Sequence, residues 1–83
     1  MKYLFISLLN IIFYMANTVE IMAKNIKRLR ENKKLSQDDL SIKSGVIQAQ
    51  ISRIERGLVE PSISTLEKLA NALEVSVSEF FLF

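Results

Sequence analysis

The segment QAQISRIER, residues 48 to 56, concentrates side chains that form paired hydrogen bonds on a stretch with helical periodicity. On a 100° wheel Ile51 and Ile54 fall on one side. Ala49, Ser52, Arg53 and Arg56 fall on the other, with Gln48 and Gln50 on the flanks. Amides and guanidinium groups recognise by fixed donor and acceptor geometry, but they do not exchange protons near neutral pH. A second concentration lies upstream. Lys24, Lys27, Arg28, Arg30, Lys33 and Lys34 fall within eleven residues that contain one acid, Glu31. Such a cluster reads either as a solvated helix face or as an electrostatic footprint for phosphates. The chain has no histidine and no cysteine, so it lacks the usual general base, thiolate metal ligands and disulfides. A non-enzymatic protein without cofactor or metal is expected.

Elements that position these residues can be read around them. At 83 residues the chain is one small domain, best stabilised as a helical bundle or an oligomer. From Ala23 onward the periodicity predicts five short helices, so the fold class is all-α. Ile26 and Leu29 mark the inner face of the first helix, among its basic residues. Ser36 caps the second helix, with Asp38 and Asp39 in its first turn, Leu40 inward, Lys43 in its last turn and Gly45 as C-cap. The third runs from about Gln48 to Arg56 and stops at Gly57. Ser62 caps the fourth, whose apolar stripe is Ile63, Leu66, Leu69, Ala70 and Leu73. A last short helix after Ser76 carries Val77, Phe80 and Phe81.

The second and third helices with their glycine-containing turn form a helix-turn-helix, whose second helix presents an outer face that fits the B-DNA major groove. The residues Leu35-Ser36-Gln37, Leu40 and Gly45-Val46, then Ile51-Ser52, Ile54-Glu55 and Gly57, carry a resemblance to lambda-repressor-like (Cro/XRE-type) helix-turn-helix domains. Pro61-Ser62, Thr65-Leu66, Leu69-Ala70, Ala72-Leu73 and Val75 extend it. The resemblance covers residues 22 to 81 and implies a five-helix DNA-binding domain.

It further implies that Gln48, Ala49, Gln50 and Arg53 face the bases. Glutamine can pair with adenine, arginine with guanine, and an alanine methyl can pack on a thymine methyl. Gln37 would bond a DNA phosphate from the start of the second helix. Lys27, Arg28, Lys33, Lys34, Ser52 and Arg56 are further phosphate candidates. Arg30 and Glu55 would form a partly buried ion pair that fixes the third helix. The partners implied are double-stranded operator DNA and a second copy of the chain, with no small-molecule ligand, in the cytoplasm at the nucleoid. The function expected is sequence-specific transcriptional regulation, by repression. The alternative is a protein-interaction, antitoxin or membrane-tethered module that keeps the fold without reading DNA.

Three departures from the family pattern stand out. Ile47 replaces the Ser or Thr cap of the third helix, and is expected on the core side with Ile51. Leu58, Val59 and Glu60 offer nothing to a phosphate. Glu74 stands where glycine commonly ends the fourth helix. In the tail, Phe80 is expected in the core, and Phe81 with Phe83 at a dimer seam or a frayed end.

Residues 1–21 match nothing in the family. Their apolar run, Tyr3 to Ala16, is short for a bilayer span and has no convincing cleavage site, and membrane association is not expected. Tyr3, Ser7, Asn10, Tyr14 and Asn17 recur at spacings of 4, 3, 4 and 3, a narrow polar stripe on a helix that is otherwise apolar. The leading expectation is an over-extended start, with Met22 or Met15 as the real one. A packing or dimer helix comes second, and a signal or anchor third.

Overall fold

The computed structural model describes residues 2–82, with the side chains of Leu8 and of residues 17–82. Four α-helices and a terminal 3-10 helix follow one another: α1 Lys2–Asn32, α2 Gln37–Ser44, α3 Gln48–Glu55, α4 Ile63–Leu73 and the 3-10 helix Val77–Phe81. The described residues include no strand.

The first helix does not start at Ala23. It runs unbroken through the whole apolar opening as one element of 31 residues. Nothing between Ala16 and Ala23 interrupts a helix: the segment has no glycine or proline, and its caps lie elsewhere. An α-helix of that size is ~46 Å long at 1.5 Å per residue. It dominates the molecular extents of 51 × 21 × 20 Å.

The core is built where α2, α3, α4 and the tail meet the carboxyl half of α1. Ile26, Leu40, Ile51, Ile54, Leu69, Leu73 and Phe80 are all fully buried. Met22, Val46, Leu66 and Ala70 complete the cluster, and Val19, Leu29 and Val77 are among the residues packed on its edge. Asn25 ties the tail to α1 by donating to the carbonyls of Phe80 (3.0 Å) and Leu82 (2.7 Å).

Helix ends follow local chemistry. Ser36 accepts from the Asp39 amide while Asp39 accepts from the Ser36 amide, a complete capping box. Gly45 closes α2 at φ +78°. Three other ends share one pattern, in which a left-handed residue just past the helix and the residue after it bond back to its last carbonyls. Leu35 and Lys34 reach Arg30 and Glu31, Leu58 and Gly57 reach Arg53 and Ile54, and Val75 and Glu74 reach Ala70 and Asn71. The pattern demands a left-handed residue. Gly57 takes it freely at φ +71°, whereas Lys34 (φ +58°) and Glu74 (φ +59°) take it against the clash of their Cβ.

Two inward assignments are corrected. Ile47 is 68% exposed and Ile63 67% exposed. Each sits at the entrance of its helix, Ile47 as the cap and Ile63 as the first residue, so the chain approaches from outside before the helix turns inward. Likewise α3 ends at Glu55 with Arg56 as its cap. The last helix is of the tighter 3-10 type. Phe83 lies outside the described residues.

Candidate nucleic-acid interface

Helix α3 has only eight residues and no side-chain cap at Ile47. An isolated helix so short does not form in water, so tertiary contacts must hold it. Ile51 and Ile54 anchor it in the core. The other anchor is polar. Arg30 on α1 grips Glu55 with two parallel hydrogen bonds, Nε to Oε2 at 2.7 Å and Nη2 to Oε1 at 2.8 Å. The Glu55 side chain keeps 3% of its accessible surface and that of Arg30 10%. The remaining guanidinium nitrogen, Nη1, donates to the Leu35 carbonyl at 2.7 Å, locking the α1–α2 turn to the same group. The hydrogen bond to Glu55 holds the guanidinium proton more firmly than in water, outweighing the cost of burial. A forked pair of this kind fixes direction as well as distance, so α3 is clamped in orientation to α1.

Gln37 extends the node outward. As the first residue of α2 it donates Nε2 to Glu55 Oε1 at 3.1 Å. Its own Oε1 accepts from Gln48 Nε2 at 2.7 Å. The chain of contacts therefore runs from buried Arg30 through Glu55 and Gln37 to Gln48, which is exposed at the start of α3. Each acceptor is polarised by the next donor, which stiffens the whole row.

Beyond Gln48, the outer face of α3 consists of exposed Ala49 and Arg53, with Gln50 and Ser52 half-buried. Arg56 is exposed and donates Nε to the Ser52 carbonyl at 3.3 Å. This face offers amide and guanidinium groups around a methyl, flanked by an amino terminus without a side-chain cap. Leu58, in the following loop, is 62% exposed and adds an apolar edge.

The basic residues of α1 are arranged less uniformly. Lys27 lies 4.0 Å from Glu31, an exposed contact with little hold. Arg28 Nη2 donates to Asn25 Oδ1 at 3.3 Å. Lys33 is committed elsewhere, 3.0 Å from Glu74 at the end of α4. That hydrogen bond keeps the Glu74 carboxyl below the ordinary glutamate range. Lys34 is exposed at the turn.

Sequence reasoning missed Asn25 and the Lys33–Glu74 contact. Both join residues more than forty positions apart, and one polar side chain on a basic helix gives no sign of such a partner.

Two short helices joined by the turn Gly45-Val46-Ile47, with the second clamped to a supporting helix and its polar face outward, define a helix-turn-helix domain. The comparisons place it further: residues 26–80 match the helix-turn-helix family HTH_3, and the chain belongs to that family. It is 40% identical over 63 residues to the uncharacterized HTH-type transcriptional regulator y4dL of Sinorhizobium fredii, which aligns 76% of this chain with 32% of that protein. It is 39% identical over 57 residues to the immunity repressor protein of Bacillus phage phi105, covering 69% of this chain and 40% of the repressor. The chain thus spans well under half the length of both relatives. Among solved structures, the restriction-modification controller protein C.AhdI of Aeromonas hydrophila superposes with a TM-score of 0.74 at 32% identity, over 76% of this chain and 96% of that one.

Proposed function

We propose that this chain is a sequence-specific DNA-binding transcriptional regulator that acts as a repressor. It places α3 in the major groove of an operator and works as a homodimer. The observation that carries the reading is the clamped presentation of α3. Two isoleucines and Glu55 are held inward, while Gln48, Ala49, Gln50 and Arg53 remain at or near the surface. A readout helix must be rigid before it binds, because ordering it on DNA would subtract from affinity.

In this reading Arg53 addresses a guanine through O6 and N7, and Gln48 an adenine through N6 and N7. The Ala49 methyl meets a thymine methyl, and Gln50 reads at the flank. Gln37 bonds a phosphate and steadies Gln48 from behind. Lys27, Arg28, Lys34, Ser52 and Arg56 supply the backbone contacts. Lys33 contributes only when it leaves Glu74. Arg30 and Glu55 support the reader without touching DNA. A homodimer sets two such helices about one helical turn apart, ~34 Å, on a two-fold site. The names of the relatives support regulation and, for the phage protein, repression.

The test is selection of a binding site from random DNA, then gel-shift titration of the full chain and of Arg53→Ala and Gln48→Ala. Each variant should lose about 1–3 kcal/mol against its own base position and little against other positions. Binding should also weaken steeply as salt rises. Variants that bind as tightly as the parent, with the same preference, would overturn readout by α3.

A further inference from the structure

Gln37 stands between the buried Glu55 carboxylate and the exposed Gln48 amide, and these two neighbours leave its own amide one direction. Glu55 Oε1 lies 3.1 Å from Gln37 Nε2. That carboxylate is ion-paired with Arg30 Nε at 2.7 Å, so both its oxygens only accept. The Glu55 side chain keeps 3% of its accessible surface, which leaves water little room to relieve a mismatch. A reversed Gln37 amide would set its oxygen against the carboxylate oxygens, a repulsive contact in a nearly dry site. Nε2 therefore points at Glu55, and Oε1 points away from it.

The same constraint passes to Gln48. Gln37 Oε1 lies 2.7 Å from Gln48 Nε2 and can only accept, so Gln48 must turn its amino group inward. One Gln48 hydrogen is spent on that bond. Its Oε1 becomes the outward end of the side chain, with one N–H left beside it. In the major groove adenine offers an amino donor at N6 and an acceptor at N7, the complement of that pair. Guanine offers acceptors at both O6 and N7, so its O6 would meet the glutamine oxygen. Thymine O4 meets the same refusal. Cytosine N4 can donate to that oxygen but brings no acceptor for the N–H.

We infer that Glu55, acting through Gln37, sets the direction of the Gln48 amide and so selects adenine over guanine at the base pair Gln48 meets. The inference rests on the reading that α3 enters the major groove, and it adds a source of specificity that touches no base. Glu55 and Gln37 are positioning residues in this arrangement. The second hydrogen of Gln37 Nε2 stays free for a phosphate, so the two roles of Gln37 coexist. Turning the row over needs only a donor where Gln37 Oε1 now accepts.

The test uses the full chain and selected duplexes that differ only at the base pair whose preference Gln48→Ala removes. Gel-shift titration compares adenine with guanine there for the parent, Gln37→Met and Gln37→Lys. Gln37 is half-buried at the start of α2, and thermal unfolding checks that each variant remains folded. Gln37→Met frees the Gln48 amide to turn, so a parental preference of about tenfold or more should fall to about twofold. Gln37→Lys keeps a donor for Glu55 and for phosphate but presents only donors to Gln48. Gln48 must then turn its oxygen inward, and guanine should bind as well as adenine or better. The preference at the base pair of Arg53 should stay unchanged in both variants. If Gln37 acts on a phosphate alone, both duplexes will lose affinity equally and the adenine preference will persist. That result would overturn the inference and leave readout by α3 intact. Loss of preference at the Arg53 base pair as well would also overturn it, because the row would then hold the helix rather than direct one amide. If Gln48→Ala removes no base preference, readout by Gln48 itself is wrong, and the inference falls with it.

Discussion

Helices α2 and α3 have the same length, eight residues each, and are held in opposite ways. Helix α2 is secured by its own neighbours in sequence: a capping box at Ser36 and Asp39, acids in its first turn, and a left-handed glycine at its end. It buries a single residue, Leu40. Helix α3 has no such start. Its cap is an exposed isoleucine, and it depends on two buried isoleucines and the grip of Arg30 on Glu55. A helix held by its ends takes its limits from local information, although at eight residues it too needs the core, through Leu40, to persist. One held by its inner face keeps its outer face and first turn available. That division suits a pair in which one helix supports and the other meets a ligand.

The strongest way to break this contrast is to remove the clamp. Arg30→Met leaves the Glu55 carboxylate buried beside Gln37 without its cation, which should cost about 3 kcal/mol. Adding Glu55→Leu removes the stranded charge, so the double variant should be more stable than either single variant. Denaturant unfolding of the three proteins and the parent closes the cycle. If the double variant lost the sum of the two singles, Arg30 and Glu55 would be acting independently, and the account of α3 would be wrong.

Exchanging the caps sharpens the same contrast from the other side. Ser36→Ala removes the hydroxyl that accepts from the Asp39 amide, and should destabilise the domain by about 1 kcal/mol. Ile47→Ser supplies to α3 the cap it lacks. Because Ile47 is exposed, little burial is lost, and the gain should approach about 1 kcal/mol. Melting temperatures moving in opposite directions would support local control of α2 and tertiary control of α3. A fall for Ile47→Ser would mean that the isoleucine contributes packing its exposure does not reveal.

These predictions also show what was legible in the sequence. The Ser36 cap with its first-turn acids, Gly45, Gly57 and the Ile51/Ile54 face could be read because each depends on residues within four positions, although the return bond from the Ser36 amide to Asp39 was not foreseen. The pairing of Arg30 with Glu55 was reachable only through family resemblance, since nothing local links a guanidinium in α1 to a carboxylate 25 residues on. Ile47 and Ile63 were misplaced for a related reason. A hydropathy wheel assumes that the whole helix lies against the core, but the first turn of a helix often lies outside it. The unbroken α1 was missed because a change in composition at residue 22 was read as a boundary, although composition does not end a helix unless a breaker or a cap is present.

A smaller effect is expected at the left-handed residues. Lys34→Gly relieves a clash of about 1–2 kcal/mol but loosens the unfolded chain by about 0.5–1 kcal/mol, for a net gain of about 0.5–1 kcal/mol. Glu74→Gly relieves a similar strain but also removes the contact with Lys33, so it should gain less than Lys34→Gly. Urea titration of the two variants side by side would rank them. The reverse order would show that the Lys33–Glu74 contact opposes folding rather than supporting it.

The smallest effect lies in acid. Two hydrogen bonds from Ser36, the backbone amide foremost, hold the Asp39 carboxyl below its ordinary value of 3.8. A carboxyl lowered on folding stabilises the native state above its unfolded pKa, and that contribution fades as pH falls through the folded value. The capping-box carboxylate should therefore hold its full effect near neutrality and lose it below about pH 4. Asp39→Asn removes this dependence while keeping an acceptor oxygen at the cap. The stability difference between parent and Asp39→Asn, followed by denaturant unfolding from pH 6 down to pH 3, should shrink over that interval. A difference that stays constant to pH 3 would mean that the cap works through its hydrogen bond alone, with no part played by the charge facing the amino end of α2.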